Sequence, residues 1–167
     1  MGLVDALTVA TNTYITVVEA DAYVADERAF TKPASSFWTG ASSAQKNQAL
    51  LMAAKNIDQA HLAGSKQGTD SDQPLSFPRT NAELNPDDLT TIPNVVKQAQ
   101  AEEAIALLQT SPWNFDPTVK EENAPTNFEG AAVTRNPNSP LWSFVAHRLL
   151  FDAGWLCMYG LEKGFVS

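Results

Sequence analysis

Apolar residues recur at helical spacing in three stretches of this chain and crowd together in a fourth. The first stretch is "TVVEADAYVADERAF", from Thr16. Thr16 with Glu19 three residues later is a capping box, in which each side chain serves an orphan amide of the opening turn. The spacing predicts a helix from Val17 to about Arg28, with Val17, Ala20, Tyr23 and Val24 inward and Ile15 stapled against Ala20. A second capping box, Ser42 and Gln45, opens "SSAQKNQALLMAAKNIDQAHLAG". There Leu50, Ala53, Ala54, Ile57 and His61 share a face, and Gly64 is the expected stop. A third helix starts near Pro93 and runs through "NVVKQAQAEEAIALLQ". Val95, Val96, Ala99, Ala106 and Leu107 line one side, with Glu103 near its centre and Glu102 at its edge. Ala101, Ala104, Ile105 and Leu108 form a second strip. A helix apolar on two sides is expected to be central, packed by more than one neighbour.

The fourth stretch, "PLWSFVAHRLLFDAGWLCMYG" from Pro140 to Gly160, is apolar nearly all the way round. Ser139 and Pro140 are its expected cap and first position, and Gly154 or Gly160 its end. Between these elements the chain is broken by Pro and Gly. "TKPASSFWTG" reads as a loop anchored by Phe37 and Trp38. Residues 65–93 read as a long loop with Leu75, Phe77, Leu84, Leu89 and Ile92 as anchors, and Pro78 bars "LSFPR" from a central strand. Residues 110–140 hold five of the ten prolines and read as an arm, with "GAAVT" as a short strand inside it. The expected fold is mainly α: a small helical bundle with a long internal loop and an extended C-terminal arm ending in an apolar helix. The divisions are a helical core over 1–110, a proline-rich arm over 111–140 and a docking helix over 141–167.

Charge changes this picture. The net charge is −8, and nine of the eleven Lys/Arg and seventeen of the nineteen Asp/Glu precede Pro140. An acidic body repels phosphates, so the composition argues against a nucleic-acid grip. The ring–cation pairing of Phe77 and Arg79 in "FPR" reads as an anchor beside a paired arginine. The terminal stretch has about the length of a membrane span, yet His147, Arg148 and Asp152 interrupt its middle. No basic start with an apolar run marks a secretory signal, so a reduced, cytosolic origin is expected.

Catalytic chemistry has little to build on. His61 and His147 are the only histidines and Cys157 the only cysteine, so no intrachain disulfide and no zinc pattern is expected. His147 and Cys157 lie ten residues apart in one helical stretch, too far for a nucleophile–base pair. "DSD" at Asp70–Asp72 lacks the later glycine and glutamate of a calcium loop. No phosphate-cradling glycine loop or nucleophile elbow occurs. The expectation is a protein without enzymatic activity, metal or cofactor.

"NTYITVVEADAYV" (Asn12–Val24), Trp38, "ALLMAAKNID" (Ala49–Asp58), "QPLSFPR" (Gln73–Arg79) and "IPNVVKQAQAEEA" (Ile92–Ala104) stand in an order and spacing that resemble one family. Its members are small tailed-bacteriophage head-to-tail adaptor, or head-completion, proteins, often labelled DnaT-like single-stranded-DNA-binding. The resemblance covers roughly residues 12–108. Phe77 stands where the family usually has Trp, and Glu103 where an apolar residue usually follows the family's glutamate, here Glu102. The resemblance implies an all-helical protomer in a homo-oligomeric ring, a dodecamer, beneath the portal protein in the virion neck. A downstream tail or stopper protein would follow, and genomic double-stranded DNA would pass through the lumen without specific binding. Such a protein is made in the host cytoplasm and meets no membrane. The alternatives are a single-stranded-DNA-binding replication accessory and a tail-completion or stopper protein.

Two sets of residues carry these expectations. Trp142, Phe144, Arg148, Leu149 and Trp155 are the expected interface to portal or neighbour, rings and long chains of the kind that dominate interfaces. The same helix packed on its own third helix is the open alternative. Arg79 is expected to pair with Glu102 or Glu103, since a carboxylate on an apolar face needs a cation when buried.

Overall fold

The computed structural model describes residues 6–26, 32–69, 72–80, 91–109 and 140–157, with side chains at 32–35 excepted. It is mainly helical. Helices α1 (Val17–Asp26), α2 (Lys32–Thr39), α3 (Ser43–Asp58), α4 (Asn94–Gln109) and α5 (Phe144–Asp152) are joined by one two-stranded pairing, β1 (Ser65–Lys66) with β2 (Arg79–Thr80).

Both capping boxes form. Glu19 N donates to Thr16 Oγ1 at 3.1 Å and Thr16 N to Glu19 Oε2 at 2.8 Å. Ser42 and Gln45 repeat that exchange at the start of α3. Helix α4 is the axle, with α1, α2, α3 and α5 all packed on it. Helices α3 and α4 pack closely, and both bring small buried residues to the common core, Ala49, Ala53 and Ala54 from α3 and Ala99, Ala101 and Ala104 from α4. Small side chains let two helices approach closely, and the larger Leu50, Ile57, Val96 and Ile105 fill the remaining space.

Three expectations change, and the open alternative for the terminal helix, packing on its own core, is the one observed. The stretch read as a loop around Trp38 is helix α2. Pro33 falls in its first turn, where a missing N–H is not needed. Helix α3 ends at Asp58, so His61 lies beyond it and is exposed rather than on its buried face. The backbone there pairs elsewhere: Ala63 N donates to Trp155 O, and Cys157 N to His61 O, around a Leu62–Leu156 bridge. Tertiary pairing has overridden the helical pattern. The cap of α5 is Ser143, whose Oγ accepts from Ala146 N at 3.1 Å, rather than Ser139, which lies outside the described residues. Finally, α5 is not separate from the core. Leu141, Ala146, Leu150 and Trp155 are buried in the same cluster as α3 and α4.

Gly154 ends α5 in the left-handed region at φ 73°, a conformation that favours glycine. The turn folds Trp155 back onto Phe77, which is fully buried between two edge-on rings. Tyr14 lies 5.8 Å away on one side and Trp155 5.1 Å on the other, centroid to centroid. The Phe77–Pro78 peptide is cis. Buried Gln73 braces the strand-to-strand connection, donating to Leu75 O and Pro78 O while accepting from Gly68 N. The proposed arm, including "GAAVT", lies outside the described residues, as do Leu84, Leu89 and Gly160. Among the described residues no helix is long and apolar enough to cross a membrane.

Candidate functional site

Helix α4 carries three buried polar side chains in its middle, Gln100, Glu102 and Glu103. Gln100 is fully buried and fully used. Its Oε1 accepts from the Tyr14 and Ile15 amides at 2.8 and 3.1 Å. Its Nε2 donates to Thr13 Oγ1 and Leu50 O, each at 2.8 Å. One side chain thus ties the N-terminal segment to α4 and α3. Glu102 accepts from the Tyr23 hydroxyl at 2.7 Å, fastening α1.

Glu103, with no exposed surface, receives Asn56 Nδ2 at 2.7 Å and the backbone amides of Trp142 and Ser143 at 2.8–3.0 Å. These amides belong to the approach and cap of α5, where the helix dipole also favours negative charge. The expected Arg79 pairing with Glu102 or Glu103 does not form. Arg79 instead donates to the carbonyls of Leu62, Ala63 and Gly64, at 3.4, 3.0 and 2.6 Å. These carbonyls follow the end of α3 and lack helical partners, and an arginine fork suits such a cluster.

A further polar knot joins Tyr14 and Asp58. The Tyr14 hydroxyl donates to the Asp58 carboxylate, which also accepts from Ser76 N at 3.1 Å. Burial pushes the Tyr14 phenol far above its ordinary value, with the Asp58 charge adding to it. Burial also raises Asp58, against the hydrogen bonds that favour its charge. Burial likewise lowers Arg79, against the nearby Asp58 carboxylate. The knot faces inward, and its groups bind one another. A surface depression of about 260 Å³ lies elsewhere, lined by Ser36, Phe37, Gly40, Ala41, Gln45 and Leu108, none of them an acid, base or thiol. Among the described residues no three His, Cys, Asp or Glu side chains gather as metal ligands.

The outward surface of α5 is different in kind. Phe144 is 54% exposed, Val145 41% and Phe151 37%. The His147 ring stacks on Phe151 at 6.2 Å, and Arg148 bonds Asp152 at 3.1 Å across one exposed turn. Of the expected interface residues, Phe144 and Arg148 lie on this face. Trp155 does not, being buried against Phe77, and Trp142 and Leu149 pack half-buried against the core. Val145, His147 and Phe151 were not singled out from sequence. Their signal was helical spacing: about one turn separates Phe144 from His147 and His147 from Phe151.

The model of the family described as "Putative DnaT-like ssDNA binding protein" matches residues 5–127. The chain belongs to this family. No curated protein and no solved structure matches it. The family's matched span contains α1 through α4 and the Gln100, Glu102 and Glu103 fastenings, and it ends before α5.

Proposed function

We propose that the protein is a non-enzymatic virion component, a head-to-tail connector adaptor. In this reading it forms a ring beneath the portal, holds a downstream tail or stopper protein, and lets genomic DNA pass through its lumen. The observation that carries the reading is α5. Its inner side is sealed on α4, while its outer side offers Phe144, Val145 and Phe151 to another surface. Exposed apolar patches on a small folded chain mark partner sites. The family resemblance over residues 12–108 supports the choice of partner. Charge supports it as well: Lys46 is bonded to Asp21, Lys97 to Glu19, Arg148 to Asp152, and Arg79 to backbone carbonyls. Those cations are engaged within the protein rather than aligned along a groove, and an acidic wall does not trap the duplex passing it.

The second reading is a single-stranded-DNA-binding accessory. The family's description favours it, and so does the ring–cation face of Phe144, His147, Arg148 and Phe151, since bases stack on such rings. One double variant, Phe144→Ser with Phe151→Ser, separates the two. Under the adaptor reading, co-sedimentation with portal-bearing heads weakens at least about thirtyfold, the loss of roughly 2 kcal/mol at an interface centre. Binding of the parent chain to a single-stranded oligonucleotide stays weak at every salt concentration. Tight oligonucleotide binding that falls steeply with salt, and is lost in the variant, would reverse the assignment.

A further inference from the structure

Helix α5 poses a problem that its own sequence does not solve. Apolar residues point inward (Ala146, Leu150) and outward (Phe144, Val145, Phe151). A helix with a polar stripe is oriented by keeping that stripe wet. Here the outward side mixes Arg148 and Asp152, which favour water, with three apolar residues, so hydrophobicity sets the rotation of α5 only loosely. A directional contact can fix which rings face out.

We infer that Glu103 is the positioning residue of the proposed docking face, fixing through the Trp142 and Ser143 amides the rotational setting in which Phe144, Val145 and Phe151 point outward. The inference rests on the docking reading of that face. Glu103 has no exposed surface and stands on the central helix, itself held by four neighbours, so its carboxylate is a rigid reference point. Its oxygens meet two consecutive amides, immediately before Phe144. Ser143 then caps the helix through the Ala146 amide, which passes the setting into the first turn. Hydrogen bonds are directional where apolar contact is not. A buried polar group that selects one packing among several is the best-attested use of such groups. The far end of α5 is held separately, beyond Gly154, by the Ala63–Trp155 and His61–Cys157 backbone bonds.

The test uses the full chain with Glu103→Leu, which removes the acceptor of the Trp142 and Ser143 amides and of Asn56 and is therefore expected to cost stability as well as positioning. The amides of Trp142, Ser143 and Ala146 should exchange about tenfold or more faster, and those of Ala63 and Cys157 should stay within about twofold. Docking to portal-bearing heads should weaken at least about tenfold although every outward ring remains. Parent-like exchange at Trp142 and Ser143, or parent-like docking, overturns the inference. If Glu103→Leu does not fold, Glu103→Gln is measured in the same way, and a uniform rise in exchange across α3, α4 and α5 overturns it. Phe144→Ser with Phe151→Ser is the control: if that variant docks like the parent, the docking reading fails, and the exchange pattern alone decides what Glu103 does.

Discussion

The middle of α4 and the outer side of α5 invert the usual distribution of residues. One places an amide and two carboxylates where water does not reach, and the other sets two phenylalanines and a valine where it does. Buried polar groups are tolerated because each is matched by specific donors and acceptors, so they fix geometry more than they add cohesion. Exposed rings have no such match within the chain. Substitutions in the first region should therefore be felt as lost stability, and in the second as lost association.

The sharpest way to break that contrast lies at the seam between the regions. Trp155 closes the core from the α5 side, so Trp155→Ala should destabilise by about 3–5 kcal/mol. A chain stopped at Pro140 should not fold, since Leu141, Ala146 and Leu150 leave the core with Trp155. Urea unfolding measures both. A stable truncated chain would show that α5 is an appendage. Next comes Gln100→Leu, which strands the Tyr14 amide, takes the closer acceptor from Ile15 N, and removes one bond each from the Thr13 hydroxyl and the Leu50 carbonyl. A loss of about 3 kcal/mol is expected, at the upper end for one stranded group, because several bonds go together.

How much of this was readable in advance follows the range of each interaction. The Thr16–Glu19 and Ser42–Gln45 boxes are local, spanning three residues, and they formed as read. The central place of α4 followed from its two apolar strips. Helix α2 was missed because Pro33 and two serines imitate a loop, whereas Trp38 is drawn inward and held by a bond from its Nε1 to Asp21 at 2.7 Å. The carboxylate of Glu103 was rightly expected to need a partner, but the partners identified here include main-chain amides some forty residues onward. Every residue but proline carries an amide, so a sequence offers no mark for such a donor. The same blindness hid the carbonyls that Arg79 serves.

Two smaller effects sharpen the comparison. Thr16→Ala should lose about 1 kcal/mol, the ordinary worth of a helix cap. Its partner Glu19 sits below the usual 4.5, held charged by the Thr16 amide and by Lys97. A depressed carboxylate contributes fully above its unfolded value and loses that contribution as pH falls through the folded one. Thermal melts should thus decline below about pH 4.5, and Glu19→Gln should flatten part of that decline. Least of all, Phe151→Ser should move stability by no more than about 0.5 kcal/mol. A larger loss would mean that the outer side of α5 is already covered by its own chain.

The edge-on packing of Phe77 against Tyr14 and Trp155 has a consequence for synthesis. The first of these rings is translated early and the last more than a hundred residues later, so a growing chain cannot close its core until the segment carrying Trp155 has left the ribosome. Until then Phe77 has one face bare. Contacts so far apart in sequence form slowly, and unfinished chains with bare apolar faces associate wrongly. A chain released early would be sticky and open, and so would be easily recognised by chaperones and proteases. The order of synthesis therefore leaves any chain that stops short of Trp155 with an unfinished core.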